Sequence, residues 1–236
     1  MQDPEGVLAA ARGGADRLEL CSALALGGLT PSAGLVVAAV AGGLPVHVLI
    51  RPRAGGFDYT DLERELVLTD VRRAVEFGAA GVVVGATRQG VVDVDLVLRV
   101  RELADSVDVT FHRAFDTLEN REAALEQLIA LGIDRVLTSG GATRAPDALS
   151  ELAALVEQAA GRIQVMAGAG IDSASVVAVA ATGVDAVHSS AKRLVSDPIP
   201  IGLGWLAGSV DAMREMTDEA HVRALRAALG VAGGRR

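Results

Sequence analysis

Seven short apolar runs recur along the chain, at residues 17–21, 46–51, 81–86, 109–113, 135–139, 163–167 and 186–190. They are rich in aliphatic and β-branched residues, as expected for strands buried on both faces of a parallel sheet. A shared phrase opens four of them: Gly14-Ala15-Asp16-Arg17-Leu18, Gly78-Ala79-Ala80-Gly81-Val82, Gly132-Ile133-Asp134-Arg135-Val136 and Gly183-Val184-Asp185-Ala186-Val187. Each copy follows a helix-like segment. Glycine just past a helix takes the left-handed conformation that closes it, so the phrase marks a helix-to-strand junction. Helix starts are marked as well. Thr60 with Glu63 makes a capping box, Thr30 or Ser32 flanks Pro31, and Asp93, Thr117 and Asp172 stand where N-caps belong. From Leu18 to Ala186 six units of about 28 residues follow one another. That alternation predicts right-handed βαβ units in one domain over residues 1–236. Eight such units make a TIM-like (β/α)8 barrel. The chain, however, opens on a helix signal, with Asp3 as N-cap, Pro4 in the first turn and apolar residues from Val7. The pattern therefore predicts an α/β barrel lacking its first strand, with a doubly wound open sheet as the alternative.

Composition narrows the function classes. Lys and Arg number 22 against 30 Asp and Glu, a net charge of −8, and aromatics are 3% of the chain. An acidic chain without a basic run or a stacking surface does not suit nucleic acid or an anionic membrane. The weakly polar stretch 34–50 is broken by Gly42, Gly43, Pro45 and His47, so it reads as helix then strand, not as a membrane span. The first residues carry neither a basic nor an apolar leader segment. The single cysteine, Cys21, cannot form an internal disulfide, which fits a reducing cytoplasm.

Barrel active sites lie at the carboxyl ends of the strands. There this chain turns polar, and strand alternation sorts the residues by face. Glu19, Cys21, Thr110, His112, Met166, Gly168, His188 and Ser190 are expected to point inward. Arg51, Arg53 and Arg113 gather with His112 around Glu19, a local reversal of sign that would draw a small phosphate or carboxylate. Gly168-Ala169-Gly170 offers backbone N–H groups where such barrels hold phosphate, and Ser139, Ser189 and Ser190 add donors. Plainer roles stand beside these. Glu19 pairs with Arg51 or Arg113, His47 and His188 are structural, Arg135 and Asp134 stabilise a strand's amino end, and Cys21 fills space.

The phrases Gly14-Ala15-Asp16-Arg17-Leu18-Glu19-Leu20-Cys21, Gly27-Gly28-Leu29-Thr30-Pro31-Ser32, Ile50-Arg51-Pro52-Arg53, Val109-Thr110-Phe111-His112-Arg113-Ala114-Phe115-Asp116, Leu137-Thr138-Ser139-Gly140, Met166-Ala167-Gly168-Ala169-Gly170 and Val187-His188-Ser189-Ser190-Ala191 together resemble the CutC family, named for copper homeostasis. The resemblance runs over about residues 5–195. It implies a cytoplasmic TIM-like barrel that forms a homodimer and binds copper. Family members begin with a strand that is absent here, so the wall between strands 17–21 and 186–190 is expected to gape, covered by another chain or by the C-terminal segment.

Two functions from different classes follow. In the first, Cys21 and Met166, with His112 as a third donor, hold Cu(I), which prefers thiolate and thioether ligands. In the second, a barrel enzyme acts on a small phosphorylated or carboxylated metabolite. Glu19 or His112 is its acid or base, Arg51, Arg53 and Arg113 hold the anion, and Gly168, Gly170, Ser139, Ser189 and Ser190 bind the substrate. Lys192 lies beyond its strand, which speaks against Schiff-base chemistry. A barrel kept only as an interaction scaffold is a third option. Both activities require the polar tips to share one opening.

Overall fold

The computed structural model describes residues 1–197 and 213–233, with side chains described to residue 230. Seven parallel strands form the sheet: β1 (Leu18–Leu20), β2 (Val46–Leu49), β3 (Gly81–Val84), β6 (Asp108–Phe111), β7 (Arg135–Thr138), β8 (Gln164–Gly168) and β9 (Ala186–His188). Their spatial order is their chain order, β1-β2-β3-β6-β7-β8-β9. A doubly wound sheet would reverse order at a switch point, so this is the winding of a curled barrel wall that lacks one strand. Among the described residues, eight helices alternate with the strands: α1 (Pro4–Gly13), α2 (Ala33–Val40), α3 (Asp61–Glu76), α4 (Val94–Leu103), α5 (Arg121–Ala130), α6 (Leu149–Ala159), α7 (Val176–Ala180) and α8 (Glu219–Gly233). Helix α8 packs on both α1 and α7. The helix layer thus passes over the place where the strand layer stops.

Local chemistry explains most boundaries. Asp3 accepts a hydrogen bond from the Gly6 amide, and Gly14 closes α1 at φ 87°. Thr60 and Glu63 form the reciprocal capping box of α3, and Asp93 caps α4. Two expected caps are displaced. Thr117 ends a short 3-10 turn, while α5 is capped by Asn120, whose Oδ1 accepts from the Ala123 amide at 2.9 Å. Asp172 binds the Ala174 and Ser175 amides in a turn, and α7 starts only at Val176. Two antiparallel ribbons, β4 (Thr87–Arg88) with β5 (Val91–Val92) and β10 (Lys192–Ser196) with β11 (Met213–Thr217), are additional to the expected elements.

The main core lies between sheet and helices and includes Leu18, Leu20, Val48, Val82, Val109 and Phe111, all under 2% exposed. A small second cluster of Cys21, Leu49 and Val83 fills the barrel interior, as strand parity predicted for Cys21. No described helix is long and apolar enough to cross a membrane.

Candidate functional site

The open wall between β1 and β9 is a cleft of about 560 Å3 that runs the depth of the barrel. At its carboxyl end, β1 contributes Glu19 and the adjoining Cys21, β8 contributes Met166, and His188 and Ser190 come from β9 and the residues after it. His188 Nδ1 lies 3.7 Å from Glu19 Oε2. Glu19 therefore faces a histidine across the gap, not Arg51 or Arg113 as expected. Cys21 is 4% exposed, and burial is the main cause that raises its thiol pKa. The outer side of the cleft is lined by Val222, Leu225 and Leu229 of α8. The C-terminal segment does cover the gap, but as a helix in the outer layer.

Arg51, Arg53, Arg113 and His112 do not line this cleft. The single opening that both expected activities required does not form: Glu19, Cys21, Met166, His188 and Ser190 share the cleft, while the side chains of Arg51, Arg53 and Arg113 are taken up by loop carbonyls and carboxylates. Arg51 Nη1 donates to the carbonyls of Leu26 and Gly28, and Nη2 to that of Gly55. Arg53 pairs with Glu63 and donates to the carbonyls of Gly56 and Asp58. Arg113 Nε binds Asp116 at 2.7 Å and its Nη2 binds Ser139 Oγ. Asp116 also accepts from Thr138 Oγ1 and from the Ser139 and Gly141 amides. These arginines clamp loops, and Asp116, which the sequence reading passed over, is the hub that locks the loop after β7. Its position in the phrase His112-Arg113-Ala114-Phe115-Asp116 was the only signal.

His112 is 6% exposed, and its Nδ1 accepts the Ala114 amide. The proton therefore sits on Nε2, which has no partner among the described residues; Arg51 Nε is likewise buried and unpartnered. Phe57 lies beside both, its ring 4.9 Å from the imidazole and 5.2 Å from the Arg51 guanidinium. Burial first, and Arg51 second, push the His112 pKa down to about 3.

The proposed phosphate loop is bent by Ala169 at φ 84° and Gly170 at φ 65°. Arg144 crosses it and donates to the Gly170 carbonyl at 3.0 Å. Gly168 has Leu137 where a Cβ would stand, 2.6 Å away. Ser189 and Ser190 both line the cleft, although Ser189 Oγ is engaged with the Ile171 carbonyl and the Ala191 amide; Ser139 does not line it.

The cleft floor is charged. Arg135 binds Thr110, Gln164 and Asp108, which agrees with the stabilising role expected of it. His47, 4% exposed, has its pKa pushed down to about 4 by burial and then by Arg17 and Arg135. Asp134 ties the Val109 amide to Arg101.

A CutC family model matches residues 1–193. A CutC family protein of Agrobacterium fabrum is 45% identical over 97% of this chain and 92% of its own length. The crystal structure of a Streptococcus agalactiae CutC, named for copper homeostasis, aligns with a TM-score of 0.71 at 33% identity, covering 73% of this chain and 87% of that one. An aldolase aligns with a TM-score of 0.61 at 20% identity over 78% of this chain and 81% of its own, which speaks to the fold alone.

Proposed function

The chain belongs to the CutC family, and from that premise we propose that it binds Cu(I) in the cleft between β1 and β9 as part of cytoplasmic copper homeostasis, and that it works as a homodimer. The observation that carries this reading is that Cys21, Met166 and His188 line one cavity. A thiol, a thioether and an imidazole are a soft donor set of the kind Cu(I) prefers, and carboxylate-rich sites for harder ions are a poor match. Among the described residues no three His, Cys, Asp or Glu side chains are grouped as a metal cage. The fit therefore depends on the Met166 thioether, and His188 replaces His112 as third donor. With its pKa raised by burial, Cys21 is a thiol at neutral pH, so copper would displace its proton.

Competition with a chromophoric Cu(I) chelator tests the site. The protein is expected to take one equivalent, Cys21→Ser to abolish competition, and Met166→Leu and His188→Gln each to weaken it about tenfold or more, 1.4 kcal/mol per decade. Undiminished competition by Cys21→Ser ends this reading.

A second reading rests on two buried donors beside Phe57 that have no partner among the described residues, His112 Nε2–H and Arg51 Nε–H. Orphan donors of this kind suit an acceptor oxygen of a small phosphate or carboxylate. Inorganic phosphate at millimolar concentration is then expected to raise the Tm of the wild type and not of His112→Phe. No shift in the wild type removes this reading.

A further inference from the structure

We propose that the ring of Phe57 stands in the place of an aromatic monocarboxylate, which binds against His112 and Arg51 when that side chain swings out. The inference rests on the anion reading of His112 and Arg51 and names the ligand class. Phe57 belongs to the loop after β2, where Ala54, Gly55 and Gly56 are exposed and Gly55 has φ 90°. The backbone of this loop is pinned. The Thr87 amide donates to the Phe57 carbonyl at 2.8 Å, and Arg53 donates to the carbonyls on either side, those of Gly56 and Asp58, both at 2.9 Å. The ring is only half-buried, and none of these bonds has to break for it to turn outward about its own side-chain bonds.

The groups beneath the ring ask for more than a hydrocarbon gives. The imidazole of His112, 4.9 Å away and tilted by 55°, and the Arg51 guanidinium, 5.2 Å away, both make contacts that suit an aromatic face. Yet His112 Nε2–H and Arg51 Nε–H are buried with no acceptor among the described residues, and the Phe57 ring carries no oxygen to offer them. Arg51 has a second unmet demand. It is 8% exposed and its Nη atoms donate to three neutral carbonyls, so among the described residues its charge is paired with no carboxylate. A buried charge without a counter-ion is costly, and an anion at this place relieves it. His112 adds no charge, because its Nδ1 accepts the Ala114 amide and so carries no proton. The site therefore balances one negative charge. A carboxylate on a flat ring keeps the face contacts that Phe57 makes and adds the acceptor oxygens that it lacks. Because such a ligand must displace the Phe57 ring, the wild type binds it with less than the full affinity of the site.

Ligand-induced shifts of Tm in the full chain test this, each variant being read against its own ligand-free Tm. The probes are benzoate, cyclohexanecarboxylate, acetate and inorganic phosphate, titrated to millimolar levels at neutral pH. Phe57→Ala is expected to bind benzoate about tenfold more tightly than the wild type does, and about tenfold more tightly than it binds either saturated acid. Phe57→Leu, which keeps an apolar cover, should fall between the two and carries the test if the alanine form does not fold. Adding His112→Phe should abolish the benzoate shift, and a shift that survives it overturns the site. Equal benzoate affinity in the wild type and the Phe57 variants overturns the place assigned to the ring. Equal affinity for benzoate, cyclohexanecarboxylate and acetate overturns the aromatic class. A phosphate shift in the wild type without a benzoate shift in any form overturns the inference and leaves the anion reading standing, whereas no shift with any probe ends both.

Discussion

His47 and His112 sit at opposite ends of the barrel and are both held neutral, with pKa values pushed down to about 4 and about 3. For a base with a depressed folded-state pKa, the unfolded chain binds protons that the folded chain refuses. Stability is therefore full above the ordinary histidine pKa of about 6.5 and is lost as pH falls from there toward 4. Between pH 7 and pH 5 each histidine is expected to remove about 2 kcal/mol, which urea titrations at the two values measure. His112→Gln should shrink that difference by about half, and equal unfolding free energies at pH 7 and pH 5 would refute the buried neutral state. At this scale the sequence was partly legible. Parity placed Cys21 inward and Glu19, Met166 and Ser190 at one cavity. It could not show that Arg51, Arg53 and Arg113 are taken up by the carbonyls of Leu26, Gly28, Gly55 and Gly56 and by Asp116, because those acceptors belong to loops whose paths depend on the finished fold.

Strand β3 is bracketed by two glycines that make room for these rings. A Cβ on Gly81 would stand 2.5 Å from the His47 ring, and one on Gly85 would stand 2.2 Å from His112 Nδ1. Neither ring can withdraw, since the His112 Nδ1 is anchored by the Ala114 amide and both are buried. Gly85→Ala is therefore expected to cost about 2 to 3 kcal/mol through overpacking. Gly34→Ala, in the exposed part of α2 with nothing near its Cβ, should stabilise by about 0.5 to 1 kcal/mol. Chemical denaturation of the two variants gives the comparison, and a neutral Gly85→Ala would mean that the His112 ring is not fixed. The seven barrel strands were readable because each is a nearly unbroken apolar run. The ribbon of β10 and β11 was not. Its stretches Lys192–Ser196 and Met213–Thr217 are mixed, mostly exposed and far apart in the chain, so neither period nor proximity announces their pairing. The caps at Thr117 and Asp172 were misplaced for a related reason: in both cases the polar side chain serves a turn just before the helix.

Among the described residues, eight helices and the seven strands of the large sheet leave a barrel that is continuous outside and broken inside. Its apolar packing is broken at the same side. One large cluster joins helices α1 to α6 with the strands from β1 to β8, while Ala167, Ile171, Val176 and Val179 form a separate cluster that α8 completes through Leu225 and Leu229. Strand β9 is only half-buried along its length and pairs with β8 alone, whereas β3, β6 and β7 are each paired on both sides. Local opening follows such differences, because a unit with one paired edge and few buried apolar partners separates at lower free energy than the centre of a sheet. Native-state hydrogen exchange is accordingly expected to rank α7, α8 and β9 below β3, β6 and β7, with the amides of Val82, Val109 and Val136 exchanging only by global unfolding. The Cys21–Met166–His188 cleft lies on this boundary, so a ligand that bridges β1 to β9 should raise protection of β9 and α8 more than that of β3. Uniform exchange through a single global transition would show instead that α8 and the clasp of α1 on it make up for the missing strand.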